Sequence, residues 1–482
     1  MIPGKDLVID LGQGRLGGRR SKSILLLKRD VTMSNDLIAK YGDARLPRYT
    51  SYPTAPAFSA AVGPDEYTGG LADIAKAGPV SVYLHVPFCR SMCWYCSCHT
   101  TITRQDAPVA DYLDVMSQEI ELVSFAAGND VPVRNVHFGG GTPTIMKPQE
   151  FSVLMSKLRS AFAFEANAGV AVEIDPRTLA APMIEALAEN GVDRASLGVQ
   201  SFDPVVQAAI NRLQSFEQTE TAVLGLRSSG VSSINFDLIY GLPKQTVQSC
   251  IETVRLAAAL RPERFAVFGY AHIPAFKKHQ RLIDESTLPD AKQRNEQAEA
   301  IAEELQKAGY QRIGLDHFAL PDDQLAIAAR NGAMRRNFQG YTTDDCDSLI
   351  GLGASAIGRL PTGYMQNHVP LGIYAERIAS GVLPTAKGYF LTEEDKLRAK
   401  IIERLMCDFE ADLDKLSSGS GFDAGFLVER NDRLGGLIAD GVVTISGERI
   451  VVSQDARFMV RAVAAAFDAY FGSHGRTHSK AA

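Results

Sequence analysis

The chain of 482 residues is 45% hydrophobic and 22% charged, proportions typical of a globular protein with two or three domains. Its net charge of −6 argues against nucleic acid as a partner, and the sequence has no run of about 18 apolar residues that would predict a transmembrane helix. The seven cysteines are expected to be reduced, as in a cytoplasmic protein, and nothing in the sequence requires more than a monomer.

The two ends of the chain differ in pattern from the body. Residues 1–32 show no sustained hydrophobic period, whereas Met33 begins a segment that runs to Tyr41 and carries polar residues suited to cap a helix. We expect residues 1–32 to be a disordered extension or the product of an upstream start codon, in which case Met33 is the true start. Residues 475–482 are expected to form a disordered tail.

An aromatic and polar run extends from Arg48 to Thr54 and includes Tyr49, Tyr52 and Pro53. A proline in such a run favours extended chain over a helix. Residues 33–78 are therefore predicted to form an N-terminal arm, which either straps onto the body of the protein or closes over a site as a lid.

From residue 79 to residue 330, short β-rich runs alternate with amphipathic helices. Such alternation with mostly apolar strands predicts an α/β fold in which helices cover a parallel sheet. Six units are fewer than the eight of a closed barrel, so we predict a partial, open (β/α)6 barrel. Strands are predicted at 81–86, 134–138, 170–175, 194–200, 233–240 and 264–271. Helices are predicted at 110–126, 148–162, 178–190, 203–227, 246–260 and 288–310.

The remainder of the chain changes in character. Residues 331–388 are predicted to connect the barrel to the next domain and to complete its site. Residues 389–474 are predicted to form a small, mostly helical domain that resembles a winged helix. Its acidic surroundings argue against DNA binding, so we expect it to pack against the barrel and cover the site. It is predicted to contain helices at 392–407 and 456–471 and a hairpin around Ser446.

A cysteine-rich loop follows the first predicted strand. Cys89, Cys93 and Cys96 are spaced C-x-x-x-C-x-x-C, so one loop can wrap three thiolates around a single inorganic centre. Three close cysteines suit a 4Fe–4S cluster whose fourth iron is free to bind a small molecule through nitrogen and oxygen. Cys98 and His99 could instead complete a zinc site, and that alternative stays open here. A disulfide is disfavoured because the cysteines are crowded.

Polar and glycine-rich runs recur at the ends of the other predicted strands. In a parallel barrel these carboxyl ends meet at one face, which is where active sites lie. Each run taken alone could be a capped turn or a satisfied buried carboxylate, but their recurrence indicates a common site. The runs are Gly139–Pro143, Glu173–Pro176, Gly198–Phe202 and Asn235–Pro243, the last with Asp237 inside an apolar strand. Asn211–Arg212 follows the fourth strand on the next predicted helix.

These motifs resemble those of the oxygen-independent coproporphyrinogen III oxidases, a family of radical S-adenosylmethionine (SAM) enzymes in haem biosynthesis. The resemblance extends from Met33 to about residue 470. Its more specific parts are Cys98 and the run Asn337–Thr343. The other matching motifs are Tyr83–Cys89, Cys96–Cys98, Gly139–Pro143, Glu173–Pro176, Gly198–Gln200, Asp237–Thr246 and Tyr270–His272.

The resemblance implies roles for individual residues. Cys89, Cys93 and Cys96 are similar to the cluster ligands, and the role of Cys98 is undetermined. Arg48–Thr54 resembles a segment that folds over the substrate. The residues similar to contacts of the cluster-bound SAM are Tyr83, Gly140 and Glu173. Those similar to contacts of a second SAM are Tyr95, Gly141, Thr142, Gln200, Arg212, Asp237, Ala271 and Ile357.

The resemblance also implies a reaction. A reduced cluster cleaves SAM to methionine and a 5′-deoxyadenosyl radical, which takes hydrogen from the β-carbon of a substrate propionate. Loss of CO2 and one further electron leaves a vinyl group, and two such conversions turn coproporphyrinogen III into protoporphyrinogen IX. An electron donor such as flavodoxin or ferredoxin is required. The substrate carboxylates should meet cations, for which the candidates are Arg48, Lys244, Arg335 and Arg336.

Three alternatives use the same sequence features. A haem-binding chaperone of the same superfamily would keep the cluster loop without oxidase activity. A radical methyltransferase would share the scaffold, and a zinc-stabilised binding protein would use the cysteines structurally. The Cys96–Cys98 pair argues against the chaperone, and the run Asn337–Tyr341 argues against both the chaperone and the methyltransferase.

Overall fold

A computed structural model describes residues 40–41, 44–419, 421–422, 425–429 and 431–472. The predictions for residues 1–32 and 475–482 lie outside the described residues, as does most of the segment that begins at Met33. The part of the chain that the structure describes contains no helix with the length and apolarity needed to cross a bilayer.

The strands are numbered in chain order. They are β1 Val80–Val86, β2 Phe88–Cys89, β3 Thr101–Ile102, β4 Pro132–Gly140, β5 Ala163–Ile174, β6 Arg194–Gln200, β7 Ser233–Tyr240, β8 Arg264–Gly269, β9 Gln311–Ile313, β10 His317–Ala319, β11 Arg335–Asn337, β12 Gly340–Thr342, β13 Ser348–Leu352, β14 Ile357–Leu360, β15 Gly363–Asn367, β16 Thr385–Phe390, β17 Glu410–Asp412, β18 Val443–Ser446 and β19 Arg449–Val452.

The helices are referred to by their bounds. The α-helices are Pro64–Leu71, Ala107–Ala127, Pro148–Ala161, Ala181–Glu189, Pro204–Ala209, Phe216–Ser228, Val247–Ala259, Ala291–Lys307, Gln324–Arg330, Leu371–Ala379, Glu393–Asp408, Leu413–Ser417, Phe426–Glu429, Asp432–Ala439 and Val460–Ala466. The 3-10 helices are Ala55–Ala57, Ile74–Ala77, Pro143–Ile145, Lys278–Leu282, Glu285–Thr287 and Gln454–Met459.

The main sheet has twelve strands in the order β16-β15-β14-β13-β1-β4-β5-β6-β7-β8-β10-β9. Its centre, from β13 to β8, is parallel, and the strands beyond these two pair antiparallel. The six predicted strands are β1 and β4 to β8, and they lie side by side as an open, helix-covered sheet. The predicted partial barrel is confirmed. Its strands are apolar because both faces of a parallel sheet are covered.

Two sequence predictions need correction. The single helix predicted at 203–227 is two helices, because Asn211 adopts a left-handed φ of 53° and Ser215 caps a new helix through the amide of Gln218. The predicted closing helix at 456–471 is shorter, since a 3-10 turn through Met459 precedes the α-helix Val460–Ala466.

The region from residue 331 to residue 390 contains strands that the sequence analysis did not predict. β13 adds a seventh parallel strand next to β1, with Val82 opposite Ile350. β14, β15 and β16 then extend the sheet through antiparallel pairs. This region therefore continues the barrel wall rather than only linking it to the next segment. The predicted domain boundaries themselves stay predictions.

The N-terminal arm packs against the C-terminal part of the chain. Leu46, Tyr49 and Tyr52 are buried in one apolar cluster with the helices Glu393–Asp408 and Val460–Ala466. Arg461 donates a hydrogen bond from Nε to the carbonyl of Pro47 at 2.9 Å. The arm is therefore strapped in place, which is one of the two predicted alternatives. Within the same C-terminal part, β17, β19 and β18 form a small sheet, and the predicted hairpin joins β18 to β19.

Candidate active site at the carboxyl ends of the strands

A cavity of about 300 Å³ lies at the carboxyl ends of the parallel strands. We call it the active-site cavity. Loops and residues at the ends of β1, β4, β5, β6, β7 and β8 converge there, as the sequence analysis expected. The predicted residues that line it are Cys89, Cys93, Tyr95, Cys96, Gly140, Gly141, Thr142, Glu173, Gln200, Arg212, Asp237 and Ala271.

The cysteine loop is held by backbone hydrogen bonds at both ends. The amide of Thr103 donates to the carbonyl of Cys89 at 3.0 Å, as part of the β2–β3 pair. The amide of Cys96 donates to the carbonyl of Cys93 at 3.2 Å, and the amide of Trp94 donates to Ile210 at 2.9 Å. These bonds turn the loop toward the cavity, and all three cysteines are free thiols.

Hydrogen-bond donors face the cysteine sulfurs. Arg177 and Arg212 each have a guanidinium nitrogen 3.6 Å from Sγ of Cys93, and Oγ1 of Thr142 lies 3.4 Å from Sγ of Cys89. Burial raises the pKa of Cys89 to about 11. A hydrogen bond from the Cys98 thiol outweighs burial at Cys96 and lowers its pKa to about 7.

The donor set fits a 4Fe–4S cluster. Three free thiols on one short loop supply three of its four ligands and leave one iron for another molecule. The two guanidinium groups at Cys93 provide the hydrogen bonds and positive charge that stabilise a thiolate-bound cluster.

The glycine run after β4 allows the backbone to pass close to other chain segments. Gly140 has a φ of 113°, and a Cβ there would lie 2.6 Å from the ring of His85. A Cβ on Gly141 would lie 2.5 Å from the carbonyl oxygen of Phe88. A side chain at either position would displace its neighbours, so the run forms a bare-backbone wall of the cavity.

Glu173 lies at the end of β5 beside this glycine run. Its carboxylate accepts hydrogen bonds from the amide of Gly140 at 3.0 Å and from Nε2 of His137 at 3.4 Å. Burial opposes ionisation of Glu173, but these donors and the nearby His85 outweigh it and lower its pKa. The ionised carboxylate can therefore accept hydrogen bonds from a cationic ligand. His137 was not predicted, because a lone histidine within a strand carries no spacing signal.

Tyr83 lies behind Glu173 rather than on the cavity wall. Its ring stacks on His137 with centroids 5.9 Å apart, and its hydroxyl lies 2.9 Å from Nδ1 of His85. Burial, followed by the charge of Glu173, raises the pKa of Tyr83. Its contacts hold the histidines on both sides of the carboxylate.

An ion-pair network crosses the cavity floor. Arg177 contacts Asp175 at 2.6 Å, and Arg212 contacts Asp175 at 3.4 Å and the carbonyl of Gly198 at 2.7 Å. Burial opposes ionisation of Asp175, but the two arginines outweigh it and lower its pKa. Arg177 was not predicted as a site residue, although it directly follows the predicted run Glu173–Pro176.

Two polar atoms at the cavity are buried without a hydrogen-bond partner. These are Oε1 of Gln200 and Nε of Arg212. Gln200 also has a left-handed φ of 67° at the end of β6. Buried polar atoms are normally paired, so an acceptor and a donor held open at one site indicate a polar ligand.

Asp237 lies on β7 and is partly buried. It accepts hydrogen bonds from Oγ of Ser196 at 3.2 Å and Nδ2 of Asn235 at 2.9 Å. Burial and the charge of Glu173 raise its pKa to about 7 despite these donors. Its charge therefore changes near neutral pH, which is unusual for an aspartate.

A polar segment after β8 anchors the cysteine loop from the opposite side. Gln280 donates to the carbonyls of Tyr95 at 3.0 Å and Ala271 at 3.2 Å. Nε2 of His279 lies 2.7 Å from the carbonyl of Cys96, and Lys277 donates to the carbonyl of Cys98 at 2.9 Å. This segment was not predicted to contribute to the site, since nothing in its spacing links it to the cysteines.

The remaining predicted residues are Ile357 and the candidate cations, and most of them do not line the cavity. Ile357 lies on β14, separated from β1 by β13, and it is not among the lining residues. Of the candidate cations, Arg48 lines the cavity and Lys244 is exposed. Arg335 pairs with Glu403 at 3.1 Å and with Asp347 at 3.3 Å.

Comparison with known proteins gives a consistent result. Residues 83–257 match the model of the Radical SAM superfamily. The chain is 55% identical over 449 residues to the oxygen-independent coproporphyrinogen III oxidase of Bradyrhizobium diazoefficiens, covering 93% of this chain and 100% of that protein. It is 41% identical to the enzyme of the same name from Pseudomonas aeruginosa, covering 92% and 96% of the two chains.

A solved structure agrees with these sequence matches. The coproporphyrinogen III oxidase HemN of Escherichia coli, described as a radical SAM enzyme, superposes with a TM-score of 0.84 at 36% identity. The superposition covers 89% of this chain and 100% of that one.

Proposed function

Because the chain belongs to the oxygen-independent coproporphyrinogen III oxidases, a family of the radical SAM superfamily, we propose that it catalyses their reaction in haem biosynthesis. It is an oxidoreductase that converts two propionate side chains of coproporphyrinogen III to vinyl groups and gives protoporphyrinogen IX. The observation that carries the proposal is the convergence of the three loop cysteines, the glycine run and Glu173 on one cavity, in a chain that matches full-length oxidases.

Cys89, Cys93 and Cys96 would hold the 4Fe–4S cluster. When bound, the cluster supplies the electron that cleaves SAM to methionine and a 5′-deoxyadenosyl radical. Arg177 and Arg212 stabilise the sulfur of Cys93 through charged hydrogen bonds. The backbone hydrogen bonds at Trp94 and Cys96 fix the loop together with the side-chain contacts from residues 277–280.

The glycine run and Glu173 would bind the SAM that occupies the open iron. Glu173 stays ionised near neutral pH, which suits an acceptor for the ammonium group of SAM. The bare backbone at Gly140 lets the ligand approach the strand closely. Tyr83 contributes by holding His85 and His137 around this carboxylate.

A second SAM molecule would occupy the other side of the same cavity. The unpartnered atoms of Gln200 and Arg212 provide an acceptor and a donor for it. Asp237 provides a carboxylate that can attract its positive sulfonium group. The same cavity is also lined by Tyr95, Gly141, Thr142 and Ala271. Ile357 would need to reach this ligand from outside the cavity lining.

The partners follow from the reaction. Coproporphyrinogen III is the substrate, and a small redox protein such as flavodoxin or ferredoxin delivers single electrons. We further propose a cytoplasmic monomer, with the arm supplying Arg48 to the wall of the active-site cavity.

Anaerobic turnover of the reconstituted protein tests this function. With coproporphyrinogen III, SAM and a reductant, we expect protoporphyrinogen IX together with 5′-deoxyadenosine. Cys93→Ser should abolish both products, because it removes one cluster ligand. Formation of 5′-deoxyadenosine without decarboxylated product would show that the protein cleaves SAM but that coproporphyrinogen III is not its substrate. Stable haem binding with neither product would favour the chaperone.

A further inference from the structure

A second cavity of about 90 Å³ adjoins the active-site cavity, and we call it the arginine chamber. The two cavities share part of their wall, formed by Arg48, Phe268, Gly269 and Tyr270. The arginine chamber is defined by the five arginines that line it, which are Arg48, Arg294, Arg312, Arg336 and Arg461.

These arginines come from separate parts of the fold. Arg48 is on the arm, Arg294 on the helix Ala291–Lys307, and Arg312 on β9. Arg336 is on β11, and Arg461 is on the helix Val460–Ala466. The chain as a whole carries a net charge of −6, so this concentration of cations is local and runs against the overall composition.

The two carboxylates that line the chamber already have partners. Glu299 pairs with Arg312 at 3.4 Å, and Asp316 contacts Nδ1 of His317 at 2.7 Å. Burial opposes ionisation of Asp316, but His317 and the nearby arginines outweigh it and hold its pKa at about 2. Among the described residues that line the chamber, five carry a guanidinium group and two carry a carboxylate.

Arg336 has donor capacity directed at no atom of the protein. Its Nη2 donates to the carbonyl of Arg48 at 3.3 Å, and its guanidinium lies 4.3 Å from the ring centroid of Tyr341. Its Nε and Nη1 atoms are buried and have no hydrogen-bond partner. A buried guanidinium with unmet donors is costly unless an anion binds there.

The arginines also repel one another. Burial, followed by the positive charges of Arg48 and Arg336, lowers the pKa of Arg461 to about 10. Arg461 donates hydrogen bonds to the backbone carbonyls of Leu46 and Pro47, which holds the arm beside the chamber. An anion in the chamber would relieve this repulsion and meet the open donors of Arg336.

We propose that the arginine chamber binds propionate carboxylates of the substrate, with Arg336 as the principal contact. This assignment rests on the proposed function and extends it to substrate recognition. Coproporphyrinogen III carries four carboxylates, of which two are retained in the product. The chamber is too small for a tetrapyrrole ring. The propionate side chains of the substrate therefore enter the chamber, while the ring lies toward the active-site cavity. Planar guanidinium groups bind carboxylates through paired hydrogen bonds, which also fixes the orientation of the ring.

The test compares a carboxylate ligand with its ester. Coproporphyrin III and its tetramethyl ester are titrated against the reconstituted protein and followed by porphyrin fluorescence. The wild-type protein should prefer the acid, and Arg336→Gln should weaken acid binding about tenfold to a hundredfold with little effect on the ester. Arg336→Lys should recover part of the affinity, because it restores the charge without the planar geometry.

Matched controls separate this outcome from misfolding and from failure of the function. Arg255→Gln removes an exposed arginine that pairs with Glu304, and it should leave both affinities unchanged. Cleavage of SAM without substrate should be the same in Arg336→Gln and wild type, because the active-site cavity is intact. Equal acid affinity in Arg336→Gln and wild type would overturn the chamber assignment, even if the wild type makes protoporphyrinogen IX. Absence of wild-type turnover would instead contradict the proposed function.

Discussion

The surroundings of Asp237 give its carboxyl group a pKa that is unusual for an aspartate. Burial on β7 and the charge of Glu173 raise its pKa to about 7, so its charge changes within the physiological range. Glu173 itself stays ionised because His137 and the amide of Gly140 donate to it. Two carboxyl groups in one cavity therefore have different charges at neutral pH.

This difference predicts a pH-dependent affinity for SAM. Ionised Asp237 attracts the sulfonium group, so wild-type affinity should rise as pH increases from about 6 to 8. Asp237→Asn stays neutral and should show a flatter dependence with weaker binding at pH 8. Titration calorimetry of both proteins at three pH values measures this. Parallel pH dependence in wild type and variant would contradict the role assigned to Asp237.

Sequence alone located most residues of the candidate site, because they stand in motifs at strand ends. Cys89, Glu173 and Asp237 are examples, and all three line the cavity. His137 and Arg177 were missed since they reach the site through side-chain contacts that leave no regular spacing. Of the four candidate cations, Arg48 and Arg336 line the arginine chamber, whereas Lys244 and Arg335 do not. Arg294, Arg312 and Arg461 were not predicted, because they join the chamber through contacts between distant segments.

At the scale of elements, the helix Ala107–Ala127 is tied to the barrel wall through a buried carboxylate. Glu119 accepts hydrogen bonds from the amide of Gly353 at 2.6 Å, Nδ2 of Asn367 at 2.6 Å and the hydroxyl of Tyr374 at 2.7 Å. These partners follow β13, end β15 and lie on the helix Leu371–Ala379. One side chain thus joins four elements.

Glu119→Ala should destabilise the protein because it leaves three buried donors without an acceptor. We expect a loss of about 2–4 kcal/mol in the free energy of unfolding, measured by guanidinium denaturation. Asp111→Ala removes an exposed carboxylate from the same helix and should change stability by less than about 0.5 kcal/mol. Equal effects of the two substitutions would show that the Glu119 network is not a support of the fold.

The six central strands could be predicted because apolar runs and intervening helices mark them clearly. β13 was missed because its run of five residues, Ser348–Leu352, is short and pairs with β1 across more than half of the chain. The break at Asn211 was missed because a left-handed residue between two helical runs leaves the hydrophobic period nearly unchanged. The local hydrophobic pattern therefore predicts the six central strands. The strands added beside them depend on pairing between distant parts of the sequence, which the local pattern does not reveal.

At the scale of the whole molecule, the two ends of the described chain come together beside the active-site cavity. The hydroxyl of Tyr49 donates to Asp468 at 3.0 Å, and the amide of Ala469 donates to the hydroxyl of Tyr52 at 3.1 Å. This packing brings Arg48 to the wall shared by the active-site cavity and the arginine chamber. The central strands supply the cofactor side of the proposed site. Its cationic side combines the arm and the helix Val460–Ala466 with arginines from the helix Ala291–Lys307, β9 and β11.

Hydrogen transfer from the substrate tests the account as a whole. Coproporphyrinogen III deuterated at the β-carbons of its propionates is turned over anaerobically, and the isolated 5′-deoxyadenosine is analysed by mass spectrometry. The account predicts deuterium in 5′-deoxyadenosine and one vinyl group for each deuterium transferred. Unlabelled 5′-deoxyadenosine, with all deuterium kept in the porphyrin, would contradict it.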